Sequence, residues 1–143
     1  MIRISTRGRY ALRAMVDLAL HADGEPVLRQ EIAERQSISA DYVAQLFRPL
    51  QKAGLVEGIK GPGGRYRLAR DAAEITAGDV VRVVEGPVAL VRCALPEDDS
   101  CDRAEKCATH LLWTRLSAVM TEFLDSVTLQ DLRDEAEQLR EEV

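Results

Sequence analysis

The sequence predicts a mainly α-helical protein with a small β-hairpin wing (α+β): a winged helix-turn-helix followed by a long C-terminal dimerisation helix. Three observations predict this. A short helical pattern, the tight turn "SIS" and a longer capped helix succeed one another between residues 28 and 54. A glycine-rich hairpin, "LVEGIKGPGGRYRLAR", follows directly. One apolar stripe then runs along residues 104–127.

The first helix is expected over residues 6–21, where Ala11, Leu12, Met15, Leu18 and Ala19 recur at helical spacing. Thr6 is placed to cap it, and Gly24 follows its end. A short helix over 28–35 turns Ile32 and Ala33 inward. Ser39 caps the next helix, and Asp41 lies in its first turn, where the helix dipole favours an anion. Val43, Leu46, Phe47 and Leu50 form its buried stripe, Pro49 strains its last turn, and Gly54 supplies a left-handed stop. In a helix-turn-helix, the N-terminal part of this second helix meets base edges.

The hairpin has strands near 55–60 and 65–70 around the turn Gly61-Pro62-Gly63-Gly64. Tyr66 and Leu68 share one face, Arg65 and Arg67 the other. Lys60, Arg65 and Arg67 ring the tip, where cations can contact phosphates or enter a narrow minor groove. "TAGD" at 76–79 fits a capping box for a short helix that holds Val80, Val81, Val83 and Val84 and ends at Gly86-Pro87. From about Ala104 to Val127 a helix carries Leu112, Leu116, Val119, Phe123 and Val127 in one stripe, widened by Leu111, Met120 and Leu124. Twenty-four helical residues span roughly 36 Å. That exceeds what one small winged helix covers, so a second copy is the expected partner, with Leu112, Leu116, Val119 and Phe123 at the interface. "LQDLRDEAEQLREEV" reads as a short acidic helix or a frayed tail.

Charge supports a nucleic-acid face confined to one half. Residues 1–70 hold 12 Lys+Arg against 7 Asp+Glu, whereas 71–143 hold 7 against 17, so a net −5 divides into +5 and −10. With 143 residues, 46% of them hydrophobic, the chain has enough for one core, or for a small domain plus a dimerisation element. No apolar run reaches the ~18 residues of a membrane span. The arginine-rich start lacks the apolar core and cleavage site of a secretory signal. A cytoplasmic location with reduced thiols is therefore expected, and no catalytic constellation marks an enzyme.

All three cysteines and one of the two histidines fall within 93–110, as Cys93, Cys101, Cys107 and His110. Cys107 and His110 lie three residues apart at a helix start and so share a face, and the polar loop "CALPEDDSC" can fold over them. A loop rich in Asp, Glu and Pro is a poor place to bury cysteines as mere small hydrophobes. The spacing suits a Cys3His zinc or an iron–sulfur cluster and does not choose between them. A cysteine-rich DNA-binding protein with structural zinc and no sensing, or a small electron-transfer or redox enzyme that merely contains a helical hairpin, are the readings from other classes.

In order along residues 1–131, "STRGRYALRAM", "EIAERQSIS", "YVAQLF", "KAGLV", "GPGGRYRL", "RC" and "KCATHLLW" resemble the IscR-like family of winged-helix iron–sulfur cluster transcription regulators. The resemblance implies a homodimeric regulator, of repressor type, that binds a double-stranded DNA operator and senses iron–sulfur, iron or redox status. It implies a 2Fe–2S cluster held by Cys93, Cys101, Cys107 and His110, with cluster-assembly proteins as donors. It places DNA contacts at Asp41, Tyr42, Gln45 and Lys60, to which Ser39, Arg65 and Arg67 add from the residues themselves. A branch sensing nitric oxide or iron through a different cluster is the alternative. Arg9 stands where a nitric-oxide-sensing relative can place an aspartate ligand, which argues against that mode. Two features depart from the family: the first cysteine gap is seven residues rather than five, and position 44 is Ala rather than acidic. The implied organisation is a DNA-binding domain over 1–86, a cluster-binding loop and helix start over 87–110, and a dimerisation helix with an acidic tail over 104–143.

Overall fold

The computed structural model describes residues 4–22, 24–95 and 106–141. Helix α1 (Thr6–His21) is capped one residue earlier than the sequence suggested. The Ser5 hydroxyl accepts from the Gly8 N–H at 3.2 Å. Ser5 is itself fixed from outside the helix, because its N–H and its hydroxyl both meet the Glu85 carboxylate. That tertiary partner decides the cap. The buried stripe is Ala11, Ala14, Met15, Leu18 and Ala19, while Leu12 is only half-buried.

Strand β1 (Val27–Leu28) leads into α2 (Arg29–Gln36). The turn runs through Ser37, a non-glycine residue in the left-handed region at φ 56°. Helix α3 (Ala40–Lys52) begins at the Ser39 cap, whose hydroxyl accepts from the Tyr42 N–H at 3.0 Å. It buries Val43, Leu46, Phe47 and Leu50, and continues through Pro49 to Lys52. Pro49 lacks the N–H that would bond the Gln45 carbonyl one turn back. Gly54 takes the left-handed φ of 78° that a helix stop requires.

Strands β2 (Val56–Ile59) and β3 (Arg65–Leu68) form the hairpin. The sheet has three antiparallel strands in the order β1-β3-β2, with Val27 opposite Tyr66 and Gly58 opposite Tyr66 from the other side. The third strand went unforeseen, since two residues are too few for an alternation to register. Tyr66 points inward as its spacing predicted and meets Phe47 edge-on at 4.7 Å. The wing is thereby rooted in the same core as the helix-turn-helix.

Helix α4 (Ala77–Glu85) carries the expected capping box: Thr76 and Asp79 bond reciprocally at 3.0 Å. Helix α5 spans Ala108–Ser126, with Cys107 as its N-cap residue. It is shorter than the sequence suggested, 19 residues and about 28 Å. Helix α6 (Leu129–Glu141) is the short acidic helix, rather than the frayed tail, of the two sequence readings. Thr128 and Asp131 form a second reciprocal cap at 3.0 Å, and Leu129 is fully buried. The helix packs on α1 and on the 3-10 turn Ala72–Glu74.

Two backbone bonds close the chain on itself where α5 ends. Ala77 N–H donates to Val127 O at 2.7 Å and Leu129 N–H to Ile75 O at 2.8 Å, around a bridge between Thr76 and Thr128. Beside them, Arg82 of α4 pairs with Asp125 of α5 at 2.7 Å and with Asp79 at 3.1 Å. Gly78 is needed here, since a Cβ would occupy the space of the Asp125 carboxylate. No described helix is long and apolar enough to cross a membrane.

Candidate DNA-reading surface and sensor site

The N-terminal half of α3 presents its polar face outward because its apolar stripe is consumed by the core. Ser39, Asp41 and Gln45 are exposed. The Ser39 hydroxyl is engaged in capping, so its remaining lone pair and proton are what it can offer a ligand. Tyr42 is half-buried and leans edge-on against Tyr10 of α1 at 6.0 Å, which fixes its ring. Arg13 stacks over the other ring, 4.8 Å from the Tyr10 centroid.

Tyr42 and Gln45 line a cleft of about 500 Å³ with Arg7, Arg48, Pro49 and Lys52. Three cations and no carboxylate line it, which favours an anion such as a phosphate. Arg7, Arg48 and Lys52 were missed from the sequence. Arg48 and Lys52 lie three and seven residues after Gln45, so the helical period held that signal. Arg7 belongs to another helix, and only the fold brings it there.

At the wing, Lys60 is exposed and Arg65 half-buried. Arg67 is exposed but paired with Glu57 across the strands at 2.6 Å. The wing is braced from behind: Arg29 donates from Nε to the Tyr66 hydroxyl at 3.0 Å, and its N–H bonds Gly64 O at 3.0 Å.

The α1–α2 junction behind this surface holds a buried carboxylate. Asp17 accepts from Arg35 Nε at 2.9 Å and Nη2 at 2.8 Å, and from Gln36 Nε2 at 2.8 Å. The Asp17 hydrogen bond holds the Arg35 guanidinium above its usual pKa, against the opposing cost of partial burial.

After α4, Cys93 lies in a 3-10 turn (Arg92–Ala94) that packs against α5. Cys107 stands at the N-cap of α5, with Sγ 3.0 Å from the Thr109 hydroxyl. His110 lies in the first turn, and its Nδ1 is buried without a hydrogen-bond partner among the described residues. A buried polar nitrogen left unpaired is costly unless a ligand takes it up. Cys101 lies outside the described residues. Among the described residues no three His, Cys, Asp or Glu side chains converge closely enough to enclose a metal ion. Two thiols and an unsatisfied imidazole nitrogen are nonetheless a donor set suited to a soft metal centre.

Leu112, Leu116, Val119 and Phe123 are all exposed, Phe123 and Val119 at 57 and 59%. The stripe does not fold back on its own domain. Ser117 is the one buried residue of the helix.

The profile of the Rrf2 family, described as an iron-dependent transcriptional regulator, matches residues 4–135. The chain is 43% identical over 136 residues to the HTH-type transcriptional regulator IscR of Vibrio vulnificus, covering 95% of this chain and 80% of that one. It is likewise 43% identical to IscR of Escherichia coli O1:K1 over 138 residues, 96% of this chain and 84% of that one. Among solved structures, T. potens IscR superposes with a TM-score of 0.76 at 39% identity, covering 96% of this chain and 90% of the other. CymR, the global cysteine regulator of B. subtilis, gives 0.75 at 38%, covering 94% and 98%.

Proposed function

This chain belongs to the Rrf2 family of DNA-binding, winged helix-turn-helix transcription regulators, and from that premise we propose that a 2Fe–2S cluster held by Cys93, Cys101, Cys107 and His110 controls its grip on an operator. The observation that carries the proposal is the buried, unpartnered Nδ1 of His110, one turn from Cys107 on the helix against which the Cys93 turn packs. Three thiolates and an imidazole are a donor set that iron–sulfur centres use.

When bound, the cluster supplies a redox-active and removable tie between the Cys93 arm and the start of α5. The protein residues do the rest. Asp41, Tyr42 and Gln45 face base edges, with Ser39 opening the same helix. Lys60 and Arg65 at the wing meet phosphates, and the Glu57 partner of Arg67 leaves that residue a weaker contact. The cleft of Arg7, Arg48 and Lys52 seats a further phosphate. Two copies pair through Leu112, Leu116, Val119 and Phe123, since an apolar patch of this kind marks an interaction site. The joint at Arg82, Asp125 and the Thr76–Thr128 bridge carries a change in α5 to the DNA-reading domain.

The test is protein purified without air. Iron and acid-labile sulfide in equal amounts, with a visible charge-transfer spectrum and operator affinity that differs between loaded and stripped protein, are expected. Zinc without sulfide, or operator affinity indifferent to loading, overturns the proposal.

A further inference from the structure

Helix α5 buries a single residue among those described, and that residue is a serine, Ser117. Alanine is the better helix former, and an apolar side chain gains more from burial, so a buried serine in mid-helix calls for a polar reason. Its hydroxyl accepts a hydrogen bond from the Leu90 N–H at 3.3 Å. Leu90 belongs to the stretch between α4 and the Arg92–Ala94 turn, three residues before Cys93. Ser117 follows His110 by seven residues, close to two full turns, so both lie on one face of α5 about 10 Å apart. Thr121 bonds the Ser117 carbonyl at 3.0 Å, which steadies the backbone at this point.

We infer that Ser117 is a positioning residue for the sensor site: its hydroxyl anchors the arm at Leu90 and so holds Cys93 over the face of α5 that carries His110. This rests on the ligand set proposed above. The reasoning is geometric. The arm leaves α4 at Gly86, whose φ of 86° ends the helix, and the Arg92–Ala94 turn has no side-chain cap of its own. A backbone bond to the middle of α5 fixes the register of the arm along the helix. Without it, the Arg92–Ala94 turn keeps its packing against α5 but Cys93 is held less closely relative to His110, while the core of the helix-turn-helix, which contains neither residue, is untouched.

The test compares Ser117→Ala, Ser117→Thr and Ser117→Val in the full chain. Threonine keeps the hydroxyl, and valine has the same shape without it. Two readouts use metal-free protein: hydrogen exchange of the Leu90 amide, and alkylation of Cys93 with that of Cys107 as internal reference. A third follows the decay of the visible spectrum of reconstituted protein under a chelator. In Ala and Val, Leu90 exchange and the Cys93-to-Cys107 alkylation ratio should rise about fivefold, the loss of one ordinary hydrogen bond. Spectral decay should accelerate by a similar factor, and Thr should stay near wild type in all three. Unchanged exchange, or an equal response of Thr and Val, overturns the anchor. Faster exchange with an unchanged alkylation ratio overturns its effect on Cys93. Wild-type protein that takes up no iron and sulfide instead overturns the cluster reading, and the two metal-free readouts still decide the anchor.

Discussion

Replacing Arg35 with Ala should destabilise the protein more than replacing its partner Asp17 with Asn, although each breaks the same ion pair. The Asp17 side chain is 1% exposed and that of Arg35 is 30%. In Arg35→Ala the carboxylate stays buried and keeps one side-chain hydrogen bond, from Gln36 at 2.8 Å, with His21 Nδ1 3.7 Å away. Stripping one partner from a buried pair costs about 3–5 kcal/mol, and the surviving amide bond places this case near the lower end, about 3 kcal/mol. In Asp17→Asn the charge left behind is a guanidinium that reaches water, and the amide oxygen still accepts one bond. The loss is then that of about one charge-assisted bond, roughly 1–2 kcal/mol. Because Arg35 titrates above its usual range, its share is fully present at neutral pH and is lost on the alkaline side only as pH rises through that raised value. The difference between the variants is therefore flat across neutral pH. Urea denaturation at one fixed protein concentration measures both losses, and in a thermal melt Arg35→Ala should lower Tm by about 6–12 °C. The reasoning is refuted if Asp17→Asn proves as damaging as Arg35→Ala.

Leu116→Glu with Phe123→Glu should yield monomers in analytical ultracentrifugation, because both side chains are exposed in the single chain; a well-folded dimer would place the interface elsewhere. At the DNA, Lys60→Ala or Arg65→Ala should weaken binding to many sequences and lower the salt slope by about one unit. Arg67→Ala, already paired with Glu57, should change the slope less. Gln45→Ala should relax sequence preference, with about 1–3 kcal/mol lost at the favoured site, and equal losses on all sequences would deny it a base contact. In anaerobic reconstitution His110→Ala should hold its cluster weakly or not at all, and His110→Cys should keep one at lower potential, since a fourth thiolate adds negative charge. An unchanged spectrum and potential in His110→Ala would remove the histidine from the site. Gly78→Ala should displace Asp125 from Arg82 and narrow the difference in operator affinity between loaded and stripped protein. A difference of wild-type size would show that the joint is not the route.

The helix-turn-helix was legible because its apolar stripes and caps are local. Ser39, Val43, Leu46, Phe47 and Leu50 take the roles their spacing implies, and Thr76 with Asp79 closes the expected box. What escaped the sequence depends on partners distant in the chain. Ser5 displaces Thr6 as the cap of α1 because Glu85 holds it, 80 residues away. Strand β1 exists only because β3 pairs with it. Helix α6 was legible in part: "TLQD" repeats the capping pattern of "TAGD", yet the acidic composition hid how fully Leu129 would be buried. The residues proposed as cluster ligands stand out in the sequence as a donor set, while the hydroxyl of Ser117 has no sequence signature.

The Thr76–Thr128 bridge has an architectural consequence. The chain leaves α4 at Gly86 and at Val127 is back beside the start of the same helix, where Leu129 re-enters the core. Nine residues of α4 separate the two points by about 13 Å, which four or five extended residues can bridge. The segment proposed as the sensor is thus inserted like a cartridge between two fixed docking points. The helix-turn-helix and the hairpin both lie outside that segment, so its length and sequence can vary without entering their core.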